Sequence, residues 1–182
     1  MKLHLGCGKR FLPGYVHVDI ADFPHIVHRK PIYPLDFIQS STISEIYCSH
    51  ALEYYDFHEA SLVLKEWFRC LDSDGCLRLS VPDFDELIKV YSLHDNNIDS
   101  IIGPIFGRWE TNSEFIYHRT VYNKKKLNEL LMNAGFMEVK EWDSLEFFGK
   151  DKDSFDDYSK AYHPKMDFEN GFPISINYLA CK

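Results

Sequence analysis

The chain has 182 residues, 45% of them hydrophobic and 15% aromatic, which suits a globular domain with a full core and argues against intrinsic disorder. Its 20 basic and 28 acidic residues leave a net charge of −8. Nonspecific binding to nucleic acid or to an anionic membrane needs clustered Lys and Arg, so this balance argues against both partners. We predict a single domain over residues 1–182.

Five cysteines lie along the chain without a CxxC pair, so their spacing predicts neither a disulfide framework nor a zinc site, and we expect no bound metal. Several of them fall in apolar, strand-like runs, where a free thiol behaves as a small hydrophobic side chain. The first predicted strand begins so early that we expect no signal peptide, and no apolar run approaches the length of a membrane span. These features predict a protein of the reducing cytoplasm.

Two short strands are predicted near the start, over residues 2–5 and 15–20. The connection between them contains the turn signal Pro13-Gly14 and has room for about one helical turn, so the first crossover must lack a full helix. Residues 21–42 contain several prolines and no clear period, which predicts a loop with room for one short strand. Residues 43–48 form the next predicted strand, which is apolar enough to be buried.

A helix is predicted over residues 57–71, where apolar side chains recur at three- and four-residue steps and form one stripe. The turn signal at residues 73–75 should end this helix before a strand over residues 76–81. A second helix should follow Asp83, which can cap it in a capping box with Glu86. A helix cap therefore explains Asp83 better than a catalytic base does.

Residues 94–120 are predicted to be irregular apart from a short helix near residues 101–106, and a last helix over residues 123–134 should stop at Gly135. Strands are predicted over residues 136–142 and 175–181, and the segment between them is long for a hairpin. Its acidic residues predict a solvated loop, and its aromatic residues predict a lid, a sugar-stacking wall or an anchor for the loop. These residues are Asp151, Asp153, Asp156 and Asp157, and Phe155, Tyr158, Tyr162 and Phe168.

The glycine turn Gly6-Cys7-Gly8 follows the first strand, and Asp19 closes the second. Glycines let the backbone approach a ligand closely, and a carboxylate can accept hydrogen bonds from both hydroxyls of a ribose. Together they predict an adenosine-type cofactor at the carboxyl edge of an α/β sheet. Phe11 stands where a nicotinamide-binding GxGxxG motif needs glycine, and Lys9 is not followed by the Ser or Thr of a phosphate loop.

Five stretches, in this order, resemble the class I S-adenosylmethionine-dependent methyltransferases, and in particular their small type 11 branch. They are Leu5-Gly6-Cys7-Gly8, Val18-Asp19, residues 45–53, residues 71–83 and residues 130–136. The resemblance implies a Rossmann-like, mainly parallel, seven-stranded sheet covered by helices on both faces. The final strand pair is expected to add an antiparallel edge strand to this sheet.

The resemblance also implies how S-adenosylmethionine would bind. The backbone of Gly6, Cys7 and Gly8 would face the methionine part of the cofactor, Asp19 would hold the ribose and Ile20 would lie against the adenine. Ser49 and His50 would border the sulfonium and the entry for the acceptor, and Asp36 is the candidate for the adenine amine. The chain departs from the family at His4, where an acidic residue is common, and at Tyr54, where a His often follows the Leu-Glu pair.

His50 and His118 are the candidate catalytic bases, because imidazole titrates near neutral pH. The acidic chain favours a small-molecule or glycan acceptor over RNA or DNA. We expect the methyl group to go to an oxygen atom, and a homodimer is the assembly considered. Two alternatives stay open: a non-catalytic methyltransferase-like partner or binding module, and an enzyme of another adenosine nucleotide such as NAD or ATP.

Overall fold

The computed structural model describes residues 1–111, 114–149, 157–163 and 171–182. Its strands are β1 (Lys2–Leu5), β2 (Val16–Asp19), β3 (His28–Arg29), β4 (Ile43–Ser49), β5 (Leu71–Pro82), β6 (Arg108–Thr111), β7 (Glu114–Tyr117), β8 (Glu138–Glu141), β9 (Tyr162–His163), β10 (Phe172–Pro173) and β11 (Ser175–Cys181). Its helices are α1 (Phe57–Cys70), α2 (Phe84–Leu93), α3 (Ile102–Phe106), α4 (Lys124–Ala134) and α5 (Ser144–Phe148). Short 3₁₀ turns lie at Leu52–Tyr54, Ile98–Ser100 and Tyr158–Lys160.

The central sheet is mixed and has the strand order β3-β2-β1-β4-β5-β11-β8. Six of these strands have four or more residues, and the two-residue β3 extends one edge. Strands β1 to β5 run parallel, whereas β11 is antiparallel to both of its neighbours. The final strand pair forms an antiparallel edge of the sheet, as predicted, with β8 outermost and β11 between β8 and β5. Alternate side chains along β11 are buried, so one face of this strand packs on the core: Ile176, Tyr178 and Ala180.

Helix α1 packs its apolar stripe against the sheet, as its periodicity predicted. Asp56 begins the helix in a capping box, accepting hydrogen bonds from the backbone of His58 and Glu59 while the Glu59 side chain accepts one from Asp56. The helix ends at Cys70, and β5 starts with the next residue. The predicted turn at residues 73–75 is instead an irregularity within β5, where the register opposite β4 shifts.

The ends of two other helices depend on single residues. Asp83 caps α2 by accepting a 3.1 Å hydrogen bond from the Asp85 backbone, but Glu86 pairs with Lys89 rather than completing a capping box. Gly135 ends α4 with a φ of 116°, a left-handed conformation that favours glycine. Within the described part of the chain, no helix combines the length and the apolar character of a membrane span.

Residues from the second half of the chain cover the sheet face beside the first crossover. Within residues 1–111, which are described without a gap, no helix connects β1 to β2, as predicted. Instead, Tyr47 of β4 packs in a buried cluster with Leu12, Trp142 and Phe148. Beneath this cluster Tyr47 donates a 2.7 Å hydrogen bond to Asp157, 110 residues further along. The segment after β8 thus supplies cover that the short crossover does not.

Cys76 and Cys181 form a disulfide between β5 and β11, so the expectation of free thiols was wrong for this pair. The two residues face each other in the antiparallel register, with their Cα atoms 4.2 Å apart. Because 105 residues separate them in sequence, spacing alone could not show that they meet. Cys7, Cys48 and Cys70 are free and buried.

Candidate functional site

A cavity of about 550 Å³ opens at the carboxyl ends of β1, β2 and β4. Six of the residues predicted to bind a cofactor line it: Gly6, Gly8, Asp19, Ile20, Ser49 and His50. Ligands of open α/β sheets bind at this edge, where parallel strands end together. The volume is that of a typical small-molecule or cofactor pocket.

The glycine turn lines the cavity, and its backbone conformation favours glycine at two positions. Gly6 has a φ of 65° and Gly8 a φ of 51°, both in the left-handed region. A Cβ atom on Gly6 would lie 2.6 Å from the Cβ of Ala51, closer than van der Waals contact allows. The Gly6 amide donates a 2.9 Å hydrogen bond to the carbonyl of Val18, which ties the turn to β2. The turn therefore presents bare main chain to the cavity.

Asp19 holds this turn from the end of β2. One carboxylate oxygen accepts a 2.7 Å hydrogen bond from the Gly8 amide, and the other accepts a 2.8 Å bond from the Ala21 amide. Each oxygen of an ionised carboxylate has two lone pairs, so both can accept a further hydrogen bond. Asp19 can therefore order the glycine turn and bind a pair of vicinal hydroxyls at the same time.

Two of the predicted cofactor residues do not present a side chain to the cavity. The Cys7 side chain is buried with its sulfur 3.8 Å from Nε2 of His25, and burial raises the pKa of the thiol to about 12, so only its backbone belongs to the turn. Asp36 does not line the cavity and lies exposed, 3.8 Å from the amine of Lys30, which contradicts its assignment to the adenine amine. The chain after β3 brings Pro31 and Ile32 to the cavity, and Asp36 lies past that contact.

Ser49 lines the cavity, but its hydroxyl is held by Asp157. One oxygen of Asp157 accepts three hydrogen bonds of 2.7 Å, from the hydroxyls of Ser49 and Tyr47 and from the backbone amide of Ser159. Burial acts to raise the pKa of this carboxyl, but the hydrogen bonds outweigh it and leave the pKa below its ordinary value. The prediction of a solvated acidic loop was therefore wrong for Asp157, and Asp151, Asp153 and Asp156 lie outside the described residues.

His50 borders the cavity in a fixed, neutral state. Its backbone has a φ of 51°, and its Nε2 lies 2.9 Å from the hydroxyl of Ser175. Its Nδ1 lies 3.5 Å from a carboxyl oxygen of Glu53. Burial lowers the pKa of His50 to about 3. Both ring nitrogens therefore face protein groups, so neither is free to take a proton from a bound acceptor.

His118 is not part of the cavity wall, contrary to the prediction that it lines the acceptor pocket. Its Nδ1 lies 3.1 Å from the carbonyl of Pro104, and its ring packs edge-on against Tyr54 at a centroid distance of 4.8 Å. A Cβ atom at Gly107 would overlap the imidazole, which shows how tightly α3 and β6 cover it. Burial lowers the pKa of His118, so it packs here as a neutral ring.

The hairpin of β6 and β7 supplies a wall that the sequence did not predict. Trp109, Thr111, Ile116 and Tyr117 from this hairpin all line the cavity. Residues 94–120 were predicted to be irregular apart from one short helix, whereas the structure pairs Trp109 with Ile116 across two antiparallel strands. A Cβ atom on Gly8 would lie 3.9 Å from the Trp109 ring, so the hairpin packs next to the glycine turn.

Tyr158 brings the late acidic and aromatic segment to the same cavity. The guanidinium of Arg10 lies 4.5 Å from the centre of its ring, and the His50 ring is 5.4 Å away. This position agrees with the predicted role of the segment as an aromatic wall. Tyr162 lies in β9, whereas Phe155 and Phe168 fall outside the described residues.

By sequence, the chain matches no protein-family model and no curated protein. By structure, it is similar to a SAM-dependent methyltransferase from Archaeoglobus fulgidus, with 16% identity and a TM-score of 0.58 over 100% of this chain and 85% of that one. A SAM-dependent methyltransferase from Methanosarcina mazei gives 18% identity and a TM-score of 0.57 over 100% and 91%. The 1,6-didemethyltoxoflavin-N1-methyltransferase of Burkholderia thailandensis, solved with 1,6-didemethyltoxoflavin and S-adenosylhomocysteine, gives 14% identity and a TM-score of 0.53 over 99% and 68%.

These likenesses establish the fold. The chain has the α/β fold of the S-adenosylmethionine-dependent methyltransferases, as its five motifs predicted. The narrower resemblance to the type 11 branch stays a prediction.

Proposed function

We propose that the protein is an S-adenosylmethionine-dependent methyltransferase that acts on a small-molecule acceptor. The observation that carries the proposal is the meeting of Gly6, Gly8 and Asp19 at one cavity of about 550 Å³. The two glycines come from the turn after the first strand and the carboxylate from the end of the second strand, so bare main chain and a hydrogen-bond acceptor face the same cavity. The fold shared with methyltransferases supports the same conclusion.

The residues present fit this cofactor. The positive φ angles of Gly6 and Gly8 leave bare backbone for the amino-acid part, and Asp19 keeps lone pairs for the ribose hydroxyls. Ile20 and Ile32 supply apolar surface for a flat base. We propose these roles in place of the Asp36 assignment.

When bound, S-adenosylmethionine supplies a methyl group that its sulfonium has already activated. The chain's own contribution is to align the acceptor and to exclude water, an effect worth up to about 7–11 kcal/mol of the barrier when the alignment is good. Trp109 and Tyr117 of the hairpin and Tyr158 of the late segment wall the cavity with aromatic rings. These rings can stack on a flat acceptor and keep water from the transfer site.

The surroundings of His50 favour one kind of acceptor atom. Among the described lining residues His50 is the sole imidazole, and both of its nitrogens face protein groups. An acceptor oxygen that ionises without help, such as a carboxylate or an acidic phenol, suits this wall better than a sugar hydroxyl, which needs a base. We therefore propose an acidic oxygen of a small molecule as the methylated atom, with a glycan as the less supported acceptor. The Burkholderia neighbour, crystallised with a flat heterocycle, is consistent with a small acceptor.

A thermal-shift titration tests the proposal. A ligand that binds only the folded state raises the melting temperature, by an amount that grows with its concentration over its Kd. We expect S-adenosylhomocysteine and S-adenosylmethionine to raise it, and NAD and ATP to leave it unchanged. Stabilisation by NAD or ATP alone would favour another nucleotide enzyme, and no shift with any of the four would favour a non-catalytic partner module. The single domain, the homodimer and the cytoplasmic location stay predictions.

A further inference from the structure

The carboxyl group of Glu53 lies behind the cavity wall. Glu53 belongs to the 3₁₀ turn that follows His50, and only 1% of it is exposed. In the part of the chain that the structure describes, neither of its carboxyl oxygens has a hydrogen-bond partner. Among the described residues, the groups at ion-pair distance from it are two histidines: Nδ1 of His50 at 3.5 Å and Nε2 of His118 at 3.7 Å. The nearby guanidinium of Arg119 is paired with Asp56 and Glu59 instead.

The hydrogen bonds around His50 fix which of its nitrogens holds the proton. The Ser175 hydroxyl lies 2.8 Å from the carbonyl of Tyr158, and because a carbonyl only accepts, the hydroxyl must donate its one proton there. The 2.9 Å contact between Ser175 and Nε2 of His50 then requires Nε2 to be the donor. In the neutral ring, Nδ1 is left with a lone pair, and this nitrogen faces Glu53.

The same reasoning applies to His118. Its Nδ1 lies 3.1 Å from the Pro104 carbonyl, so Nδ1 must carry the proton and donate it. The neutral ring then has its lone pair on Nε2, which faces the same oxygen of Glu53. Two lone pairs thus converge on Oε1. An ionised carboxylate would meet repulsion from both nitrogens, whereas a carboxylic acid would offer its proton to either.

The geometry points to Glu53 as a neutral carboxylic acid in the folded protein, a positioning residue whose acid proton faces the lone pair on Nδ1 of His50 and orients that imidazole at the cavity wall. The other titratable groups facing it agree with this state. Cys48, Tyr54 and Tyr122 surround the carboxyl, all are neutral near pH 7, and none supplies a positive charge. Burial raises the pKa of Glu53 to about 8. That a fixed His50 matters for the acceptor rests on the proposed function, whereas the protonation state of Glu53 does not depend on it.

Carboxyl carbon NMR of the cofactor-free, unsubstituted protein tests the protonation state directly. We expect the Glu53 side-chain carbon to titrate with a midpoint near 8 while His50 and His118 stay neutral, with protons on Nε2 and Nδ1 respectively. An ionised Glu53 at pH 6, or a cationic His50 or His118 at that pH, would overturn the proposal. Because no ligand is used, this result is independent of whether the protein binds S-adenosylhomocysteine.

Two variants test the positioning role. Glu53→Gln keeps a neutral donor beside the two nitrogens, so the slowly exchanging Nε2 proton of His50 should persist, whereas Glu53→Leu removes the donor and should cause its loss. Persistence in both variants, or loss in both, would overturn the role. If the leucine variant does not fold, the pH dependence of the melting temperature of Glu53→Gln still tests whether Glu53 is neutral.

The pH profile of the glutamine variant follows from the direction of the Glu53 shift. A carboxyl whose pKa is higher folded than unfolded binds more protons in the folded state, so its stabilisation is lost between pH 4.5 and about 8. The melting temperature of Glu53→Gln should therefore rise relative to the unsubstituted protein across that range. Glu129→Gln, at an exposed site on α4, is the matched control and should track the unsubstituted protein. A Glu53→Gln profile parallel to the control would contradict a neutral Glu53.

Discussion

The phenol of Tyr47 donates its hydrogen bond to Asp157 beneath the sheet, at 2.7 Å, and thereby joins a central strand to a segment 110 residues away. The same oxygen of Asp157 accepts from Ser49, which lines the cavity. Asp157, for which the local sequence predicts a solvated loop, is therefore buried and hydrogen-bonded. Its removal should affect the fold and the cavity together.

Asp157→Ala should lower the free energy of unfolding by about 3 kcal/mol, because it leaves several buried donors without an acceptor. Tyr47→Phe removes one donor and should cost about 1 kcal/mol. Urea denaturation followed by circular dichroism measures both. Equal losses in the two variants would show that Asp157 does not organise the network.

Acid should weaken the protein through the same carboxyl. The hydrogen bonds keep the folded pKa of Asp157 below its ordinary 3.8, so the stabilisation is complete above that value and is lost as the pH falls through the folded pKa. In denaturant titrations between pH 6 and pH 2, we expect Asp157→Asn to lose less stability than the unsubstituted protein. A parallel decline of the two proteins would count against this origin of acid sensitivity.

Asp19→Ala should weaken binding of S-adenosylhomocysteine by at least about tenfold, since hydrogen bonds to a charged group contribute about 1.5–3 kcal/mol. The substitution also removes the hydrogen-bond acceptor of the Gly8 and Ala21 amides, so the glycine turn should be less ordered. Asp36→Asn, at an exposed carboxylate outside the cavity, is the control and should bind as the unsubstituted protein does. Calorimetry decides, and unchanged affinity in the Asp19 variant would remove the ribose assignment.

Gly6→Ala should destabilise the protein more than Gly14→Ala. Both positions have positive φ, 65° and 84°, so both pay a backbone cost of about 1 kcal/mol. Only at Gly6 does the new Cβ also meet another atom, the Cβ of Ala51 at 2.6 Å. Adding Ala51→Gly to the Gly6 variant should recover part of the difference in a thermal melt. No recovery would mean that contact with Ala51 is not the cause.

Reducing the bond between Cys76 and Cys181 should lower the free energy of unfolding by about 2–4 kcal/mol, because the intact disulfide closes a long loop and so restricts the unfolded chain. Cys76 pairs with Glu45 of β4 just after the register shift, whereas the cavity opens at the other end of β4, at Ser49. Binding of S-adenosylhomocysteine should therefore survive reduction. The Cys76→Ser, Cys181→Ser double variant should match the reduced protein, and a shared loss of binding would contradict this separation.

The sequence predicted those parts of the site that depend on neighbours along the chain. Gly6, Gly8 and Asp19 were found because parallel strands end at one edge and because their turn residues have local signatures. Trp109 and Tyr117 were missed as wall residues because each reaches the cavity through long-range packing that no local pattern encodes. The bond between Cys76 and Cys181 and the burial of Asp157 were missed for the same reason.

His118 and Asp36 were misplaced for a different reason. Both were assigned through the resemblance, which supplies residue types but not the path of the chain between motifs. His118 packs against Gly107 outside the cavity wall, and Asp36 lies exposed in the chain past Ile32. Glu53 was noticed only as part of a motif, since its isolation from any cation is visible only in three dimensions.

The adjacency of Asp157 and Tyr158 has a consequence for how this protein could change its preference for acceptors. One residue is locked under the sheet while the next stands in the cavity wall, so the backbone beneath the aromatic ring is already held in place. Exchanging that ring for another side chain would reshape the pocket at little cost to folding, whereas shifting the chain by a single position would sacrifice the anchor. Divergence at this spot should therefore proceed by substitution rather than by insertion or deletion.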